Sequence, residues 1–247
     1  MTFVRYAPVL LAALALSACD KANDGTPSSA APGSIAAVAA PAGTTWAQTV
    51  VATEQGIRMG NPDAPIKIVE YASYTCPHCR EFQEQSHEAL ERDYVNTGKV
   101  SLELRSLIRD PLDLSAALIA RCAGPDAFFA LSGQLFANQD AMVQQFLSHS
   151  QADQTAASQA APEQRFGRMA EMAGLIEFAK QRGLPEDKVR ACLADTAQAQ
   201  KLASVTEAVL KEYPAFPGTP SFIMNGQLLD NTSNWTALQA KLRDAGA

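Results

Sequence analysis

Cys76 and Cys79 lie in the stretch Tyr71-Ala-Ser-Tyr-Thr-Cys-Pro-His-Cys-Arg80, with only Pro77 and His78 between them. Cysteines at this spacing can form a reversible disulfide or supply half of a zinc site. Disulfide exchange runs through a thiolate, so the attacking cysteine must ionise near neutral pH. Cys76 falls where a helical pattern begins, and unpaired N–H groups with the positive dipole end favour a thiolate there. Cys79 falls one turn in and faces the core, which suits a resolving thiol. Pro77 occupies a first-turn position, where its missing donor costs nothing. His78 adds a partly positive, hydrogen-bonding neighbour. Stabilising the reduced form makes the disulfide more oxidising, by about 1.4 kcal/mol per pKa unit. A zinc site would need two further ligands, and His87 and His149 stand apart from any second pair.

The flanking pattern places the pair at a strand-to-helix junction. Ile66-Lys-Ile-Val-Glu-Tyr-Ala72 reads as a largely buried strand. Cys79, Phe82, Ser86, Leu90 and Tyr94 recur at helical spacing, opposite a charged face of Arg80, Glu81, Glu84, Glu88, Glu91 and Arg92. Val100 to Leu107 alternates apolar and polar, which predicts a second strand, parallel to the first. A weaker strand signal covers Thr49 to Thr53, and Asn61-Pro-Asp-Ala-Pro65 is a turn. From about 110 to 186 the pattern is helical: Leu114–Ala123, Phe128–Phe136 and Phe166–Gln181 each show an apolar face. Ser148 to Gln164 is polar and reads as a loop within this block. Helix returns over Lys188–Leu193 and Thr196–Tyr213, until Pro214, Pro217 and Pro220 stop it. Ser221–Met224 and Gln227–Leu229 flank Asn225-Gly226, a strong hairpin signal. Asn234 to Ala245 closes the chain as a helix. The expectation is an α/β domain over 46–247 with a helical insertion at about 110–186.

Residues 1–18 read as an export signal: Arg5 supplies the positive end, and Ala7 to Leu16 a short apolar stretch. It closes on Leu16-Ser17-Ala18-Cys19, which resembles the bacterial lipobox. That likeness implies lipidation of Cys19, and Asp20 after it implies retention at the inner membrane. Residues 19–45 then form a lipidated N-terminus and an Ala/Ser/Pro/Gly-rich flexible linker. A net charge of −6 without a basic cluster argues against nucleic-acid binding. Of the five cysteines, Cys122 and Cys192 remain. Each lies on an apolar helical face, as one structural disulfide or as two buried thiols.

Glu70 through Cys79, with its Cys-Pro-His-Cys core, resembles the active site of the DsbA-like proteins of the thioredoxin superfamily. Gly218-Thr-Pro-Ser-Phe222, about 140 residues on, is similar to the superfamily's cis-proline loop. The resemblance implies a thioredoxin fold with a helical insertion, working through the Cys76–Cys79 disulfide without any other cofactor or metal. It implies that Cys76 is the exposed nucleophile and Cys79 its partner. It also implies that Glu70 is a buried acid moving protons at the inner cysteine; otherwise Glu70 is a solvent-exposed strand end. Pro220 would be the cis-proline, and Thr219 would present backbone to an extended substrate. A bridge between Cys122 and Cys192 is likewise implied by a subset of the family. The implied activity is oxidation of cysteine-containing exported proteins by a monomeric periplasmic enzyme, renewed by a DsbB-type quinone-linked membrane partner. Thr219, where DsbA enzymes often carry valine, instead resembles isomerases and reductases. A lipoprotein that binds a metal or a protein through the same pair is the non-enzymatic alternative.

Overall fold

The computed structural model describes residues 1–2 and 33–247. Cys19, the first part of the linker and all but the first two residues of the expected export signal lie outside the described residues.

The centre is a strand, β3 (Ile66–Ala72), in which Lys67 faces solvent while Ile66, Ile68, Glu70 and Tyr71 are buried. It runs parallel to β4 (Val100–Ser106) in the register Glu70 to Leu104. Helix α1 (Pro77–Leu90), extended by a π-helical turn over Glu91–Val95, makes the crossover. It buries Cys79, Phe82, Ser86 and Leu90 against the sheet. On the other side of β3 lies antiparallel β5 (Ser221–Met224), and beyond it β6 (Gln227–Leu228). The turn between these two uses Asn225 and Gly226 at φ 49° and 84°, the doubly positive geometry of a tight hairpin.

One end of the sheet differs from expectation. The single weak strand near Thr49–Thr53 is a hairpin, β1 (Val50–Ala52) and β2 (Ile57–Gly60), with β2 pairing to β4. The full order is β1-β2-β4-β3-β5-β6. The Thr53 hydroxyl accepts from Gly56 N–H at 2.8 Å and closes this turn, a local bond without an apolar pattern to reveal it.

Between β4 and the helix that returns to the sheet stands a block of seven helices. These are α2 (Pro111–Cys122), α3 (Pro125–Ala137), α4 (Gln139–Leu147), α5 (Gln151–Ser158), α6 (Pro162–Met172), α7 (Leu175–Lys180) and α8 (Glu186–Ala194). Helix α2 is apolar and buried almost all round, so it forms the block's centre. Two expectations are corrected here. Part of the polar stretch Ser148–Gln164 is helix α5, capped by the Ser150 hydroxyl accepting from Asp153 N–H. It buries only Ala157, which is why no apolar face shows in its sequence. Phe166–Gln181 is broken by Gly174 in the left-handed region, φ 68°, giving α6 and α7. Helix α8 packs on α2, α6 and α7, so by packing the block runs to Ala194, past the boundary near 186 drawn from sequence. A Cys122–Cys192 disulfide joins α2 to α8. Helices α9 (Thr196–Glu212) and α10 (Trp235–Asp244) complete the fold.

Residues expected to belong to a free linker are tied down. Ile35 N–H donates to Gly246 O and Val38 N–H to Thr97 O, each at 2.8 Å. The Trp46 indole donates to Val38 O at 2.7 Å, and Ile35 and Ala40 pack against the sheet's apolar cluster. The segment approaches Gly98 (φ 73°) so closely that a Cβ there would run into the Val38 carbonyl. Among the described residues, no helix is long and apolar enough to cross a membrane.

Candidate active site

Cys76 is the N-cap of α1, with extended backbone at φ −92° and ψ 116°. Pro77 stands in the first turn and Cys79 N–H donates back to Cys76 O at 3.1 Å. Both cysteines are free thiols. Their depths differ from the exposed-and-buried pair expected: Cys79 is 0% accessible, and Cys76 is itself only 4% accessible. The loop before β5 reaches over it. The Thr219–Pro220 bond is cis, and Cys76 Sγ donates to Thr219 O at 3.2 Å.

The two sulfurs are driven apart in acidity. Cys76 is lowered to about 5, chiefly because the Cys79 thiol donates to its sulfur. Its burial opposes this, while the Thr219 side chain and the backbone N–H groups of Cys79 and His78 assist. The Thr219 carbonyl can accept only from the thiol form, so it resists ionisation, but the donors on the helix side outweigh it. Cys79 is pushed far above the ordinary thiol range, first by burial, then by its bond to Cys76 and the charge forming there. Ser73 N–H, the next donor to Cys79 Sγ, lies at 3.5 Å and offsets little of this. One thiol is therefore poised as thiolate and the other keeps its proton.

His78 contributes through its backbone. Its ring is 77% exposed and turns to Glu81, at 3.8 Å, rather than to the sulfur. Glu70 is 1% accessible, which excludes the solvent-exposed alternative. Burial alone pushes it up to about 8, and Oε1 has no hydrogen-bond partner. Glu70 lines a cavity of about 10 Å³ with Met59, Phe82 and Leu102 among others. It lies close enough for its charge to raise Cys79 further.

Other residues at the site gave no sign in the sequence. Asp113, fully buried in the first turn of α2, accepts from Ser73 Oγ and Tyr74 N–H at 2.7 Å and from Arg109 N–H at 3.0 Å. Burial pushes its carboxyl up to about 7 against these donors. Asp110, the N-cap of α2, accepts from Thr75 Oγ1 at 2.7 Å. Gln139 of α4 donates to the carbonyls of Tyr74 and Cys76, both at 2.9 Å. The Asp-Pro pair at 110–111 is a visible helix start, but nothing in the sequence shows that this helix faces the cysteines. Two groups lie elsewhere: Cys122 and Cys192 are in the helical block, and Cys19 is outside the described residues. Among the described residues, no three His, Cys, Asp or Glu side chains gather as a metal would require.

A groove of about 210 Å³ is lined by His78, Glu81, Gln85, Thr219, Ser233 and Asn234 among others. His78 follows Cys76 by two positions in the chain, and Thr219 O accepts from the Cys76 thiol, so the groove reaches the neighbours of that sulfur. That arrangement can hold an extended chain while its own sulfur meets Cys76.

Known proteins are similar to this chain in sequence and fold. A crystal structure of a protein-disulfide isomerase from Novosphingobium aromaticivorans is 32% identical, with a TM-score of 0.73, over 78% of this chain and 98% of that one. Wolbachia pipientis alpha-DsbA1, 19% identical, matches in fold with a TM-score of 0.62 over 82% of this chain and 96% of that one. A Rickettsia bellii protein provisionally named a protein-disulfide oxidoreductase is 29% identical over 189 residues, 76% of this chain and 64% of that protein. The chain thus spans less than two thirds of that relative's length. The thioredoxin family model matches residues 52–244, from the end of β1 to the end of α10. With that match over a sheet carrying both thiols at the head of its crossover helix, this α/β chain has a thioredoxin fold with a helical insertion and belongs to the thioredoxin family.

Proposed function

We propose that the protein is a thiol:disulfide oxidoreductase that introduces disulfides into exported proteins through Cys76 and Cys79. The observation that carries this is the split acidity of the pair, with Cys76 at about 5 over a buried Cys79 held protonated. In the oxidised enzyme a substrate thiolate attacks the Cys76 sulfur, and the bond to Cys79 breaks. Cys79 leaves with the electron pair and takes a proton, for which buried Glu70, neutral below about 8, is the nearby source. A second substrate thiolate then attacks the substrate sulfur of the mixed disulfide and releases Cys76 as a stable thiolate. The substrate has lost two electrons and the pair has gained them. A low-pKa leaving group speeds this last step.

The setting follows from the same reading. The Cys122–Cys192 bridge suits an oxidising compartment. Together with the export-type N-terminus it supports the periplasm, with a lipid on Cys19 as anchor. A DsbB-type membrane partner would reoxidise the pair. A 24% identical stretch of 94 residues in disulfide bond formation protein D of Bacillus subtilis supports disulfide formation as the reaction. An isomerase is the second reading, favoured by Thr219 and by the likeness to the protein-disulfide isomerase of Novosphingobium aromaticivorans.

The test is a purified enzyme, oxidised at Cys76–Cys79, mixed with a reduced unfolded protein. Stoichiometric loss of substrate thiols is expected, abolished by Cys76→Ser. A reduction potential near that of thioredoxin, about −270 mV, would refute the oxidase. Rescue of scrambled disulfides by the reduced enzyme would favour the isomerase.

A further inference from the structure

The helical block holds the turn before Cys76 at its backbone. Tyr74 is gripped at three atoms by three helices. Its N–H goes to Asp113 of α2, its O accepts from Gln139 of α4, and its hydroxyl is hydrogen-bonded to Ser132 of α3, at 2.7 Å, 2.9 Å and 2.7 Å. Gln139 is 2% accessible, so its amide is spent on this turn and not on solvent. Its second bond, to Cys76 O, joins those from Cys79 N–H and Arg80 N–H on one carbonyl. The first turn of α1 and the start of α4 therefore meet at the peptide group of Cys76. The orientation of that peptide decides where the sulfur lies relative to the His78 and Cys79 N–H groups.

We propose that Gln139 is a positioning residue of the redox pair, acting through the carbonyls of Tyr74 and Cys76 to fix how the Cys76 sulfur is presented to the helix N-terminus. The proposal rests on the redox reading of the pair given above. Without the amide, buried Tyr74 O loses its donor and Cys76 O keeps only the Cys79 and Arg80 N–H groups, so the backbone between them would turn, since an unmet buried acceptor is costly. That rotation would move the sulfur off its N–H donors. The thiolate would lose stabilisation, and the pair would become less oxidising.

Gln139→Met keeps the length and removes both donors. Two quantities are read: thiolate absorbance of Cys76 against pH, and the equilibrium of the pair with oxidised and reduced glutathione. Circular dichroism and the mass of the intact Cys122–Cys192 bridge monitor folding. The expected result is a Cys76 pKa higher by about one unit and an equilibrium constant about tenfold less oxidising, equivalent to about 30 mV. Shifts below threefold, or in the opposite direction, overturn the proposal even if the variant melts earlier, because a purely structural glutamine would lower stability alone. Should Gln139→Met not fold, Gln139→Asn carries the same readouts with the same thresholds, since its amide is one methylene too short for both carbonyls. If the wild-type pair itself neither ionises below the ordinary thiol range nor exchanges with glutathione, the redox reading fails. A wild type that does both, with an unshifted variant, sinks only the role of Gln139.

Discussion

Replacing Glu70 by glutamine removes a buried titratable carboxyl at nearly constant shape. Glu70 sits in the central strand, paired on one side to Leu104 and on the other to Phe222, and is 1% accessible. Its folded pKa is about 8 against an ordinary 4.5. A raised carboxyl pKa means the folded state holds a proton that the unfolded state has released. Stability therefore falls as pH rises from 4.5 to about 8, at about 1.4 kcal/mol per pH unit. The span corresponds to roughly 5 kcal/mol at pH above 8 and roughly 3 kcal/mol at pH 7. Glutamine has no such slope. The gain in stability of Glu70→Gln over the parent should grow from nothing near pH 4.5 to that size by pH 8. The assay is urea unfolding at a series of pH values in a Cys76→Ser, Cys79→Ser background, which removes the redox state as a variable and leaves the Cys122–Cys192 bridge closed. Any slope from Asp113 is common to both proteins and cancels. Parallel pH profiles would show that water or a counter-charge reaches Glu70, and the proton-donor role would fall with it. In the unmutated pair, the rate of the step that requires Cys79 to change protonation should show an inflection near 8, absent in Glu70→Gln.

Opening the Cys122–Cys192 bridge by Cys122→Ala with Cys192→Ala frees a loop of 70 residues, for which chain entropy gives a loss of roughly 4 kcal/mol, read as a lower urea midpoint. An unchanged midpoint would mean the two helices are held by packing alone. Asp113→Ala leaves Ser73 Oγ, Tyr74 N–H and Arg109 N–H without their acceptor and should cost roughly 3 kcal/mol or more by the same measurement. With its pKa raised from 3.8 to about 7, Asp113 withdraws stability as pH climbs through that interval, so Asp113→Asn should flatten that part of the urea-midpoint profile.

What could be read from the chain, and what could not, divides along the range of the interactions. A thiol at a helix start, a proline in the first turn and a second thiol one turn on are set by neighbours along the chain, so Cys76, Pro77 and Cys79 show their geometry in their spacing. Asn225-Gly226 is legible for the same reason. Helix α5 is not, since eight residues that bury only Ala157 carry no periodic mark. Glu70 lies between: its strand is evident, but whether a glutamate near a strand's end is buried depends on what surrounds it, here β2, β4 and α3 from elsewhere in the chain together with the adjacent α1. The hold on residues 73–76 is least legible of all. Asp113 and Gln139 act from 39 and 65 positions away, and their partners there include the backbone N–H and O of Tyr74. Every residue but proline presents those two atoms, so these backbone bonds leave no imprint on the sequence of the turn. An insertion that touched the active site through side chains would leave complementary residue types on both sides. This one leaves an aspartate in a mostly apolar helix and a glutamine among polar neighbours. Side chains constrain the turn as well, through Ser73 on Asp113, Tyr74 on Ser132 and Thr75 on Asp110, whereas the bonds from Gln139 go to carbonyls that any residue presents.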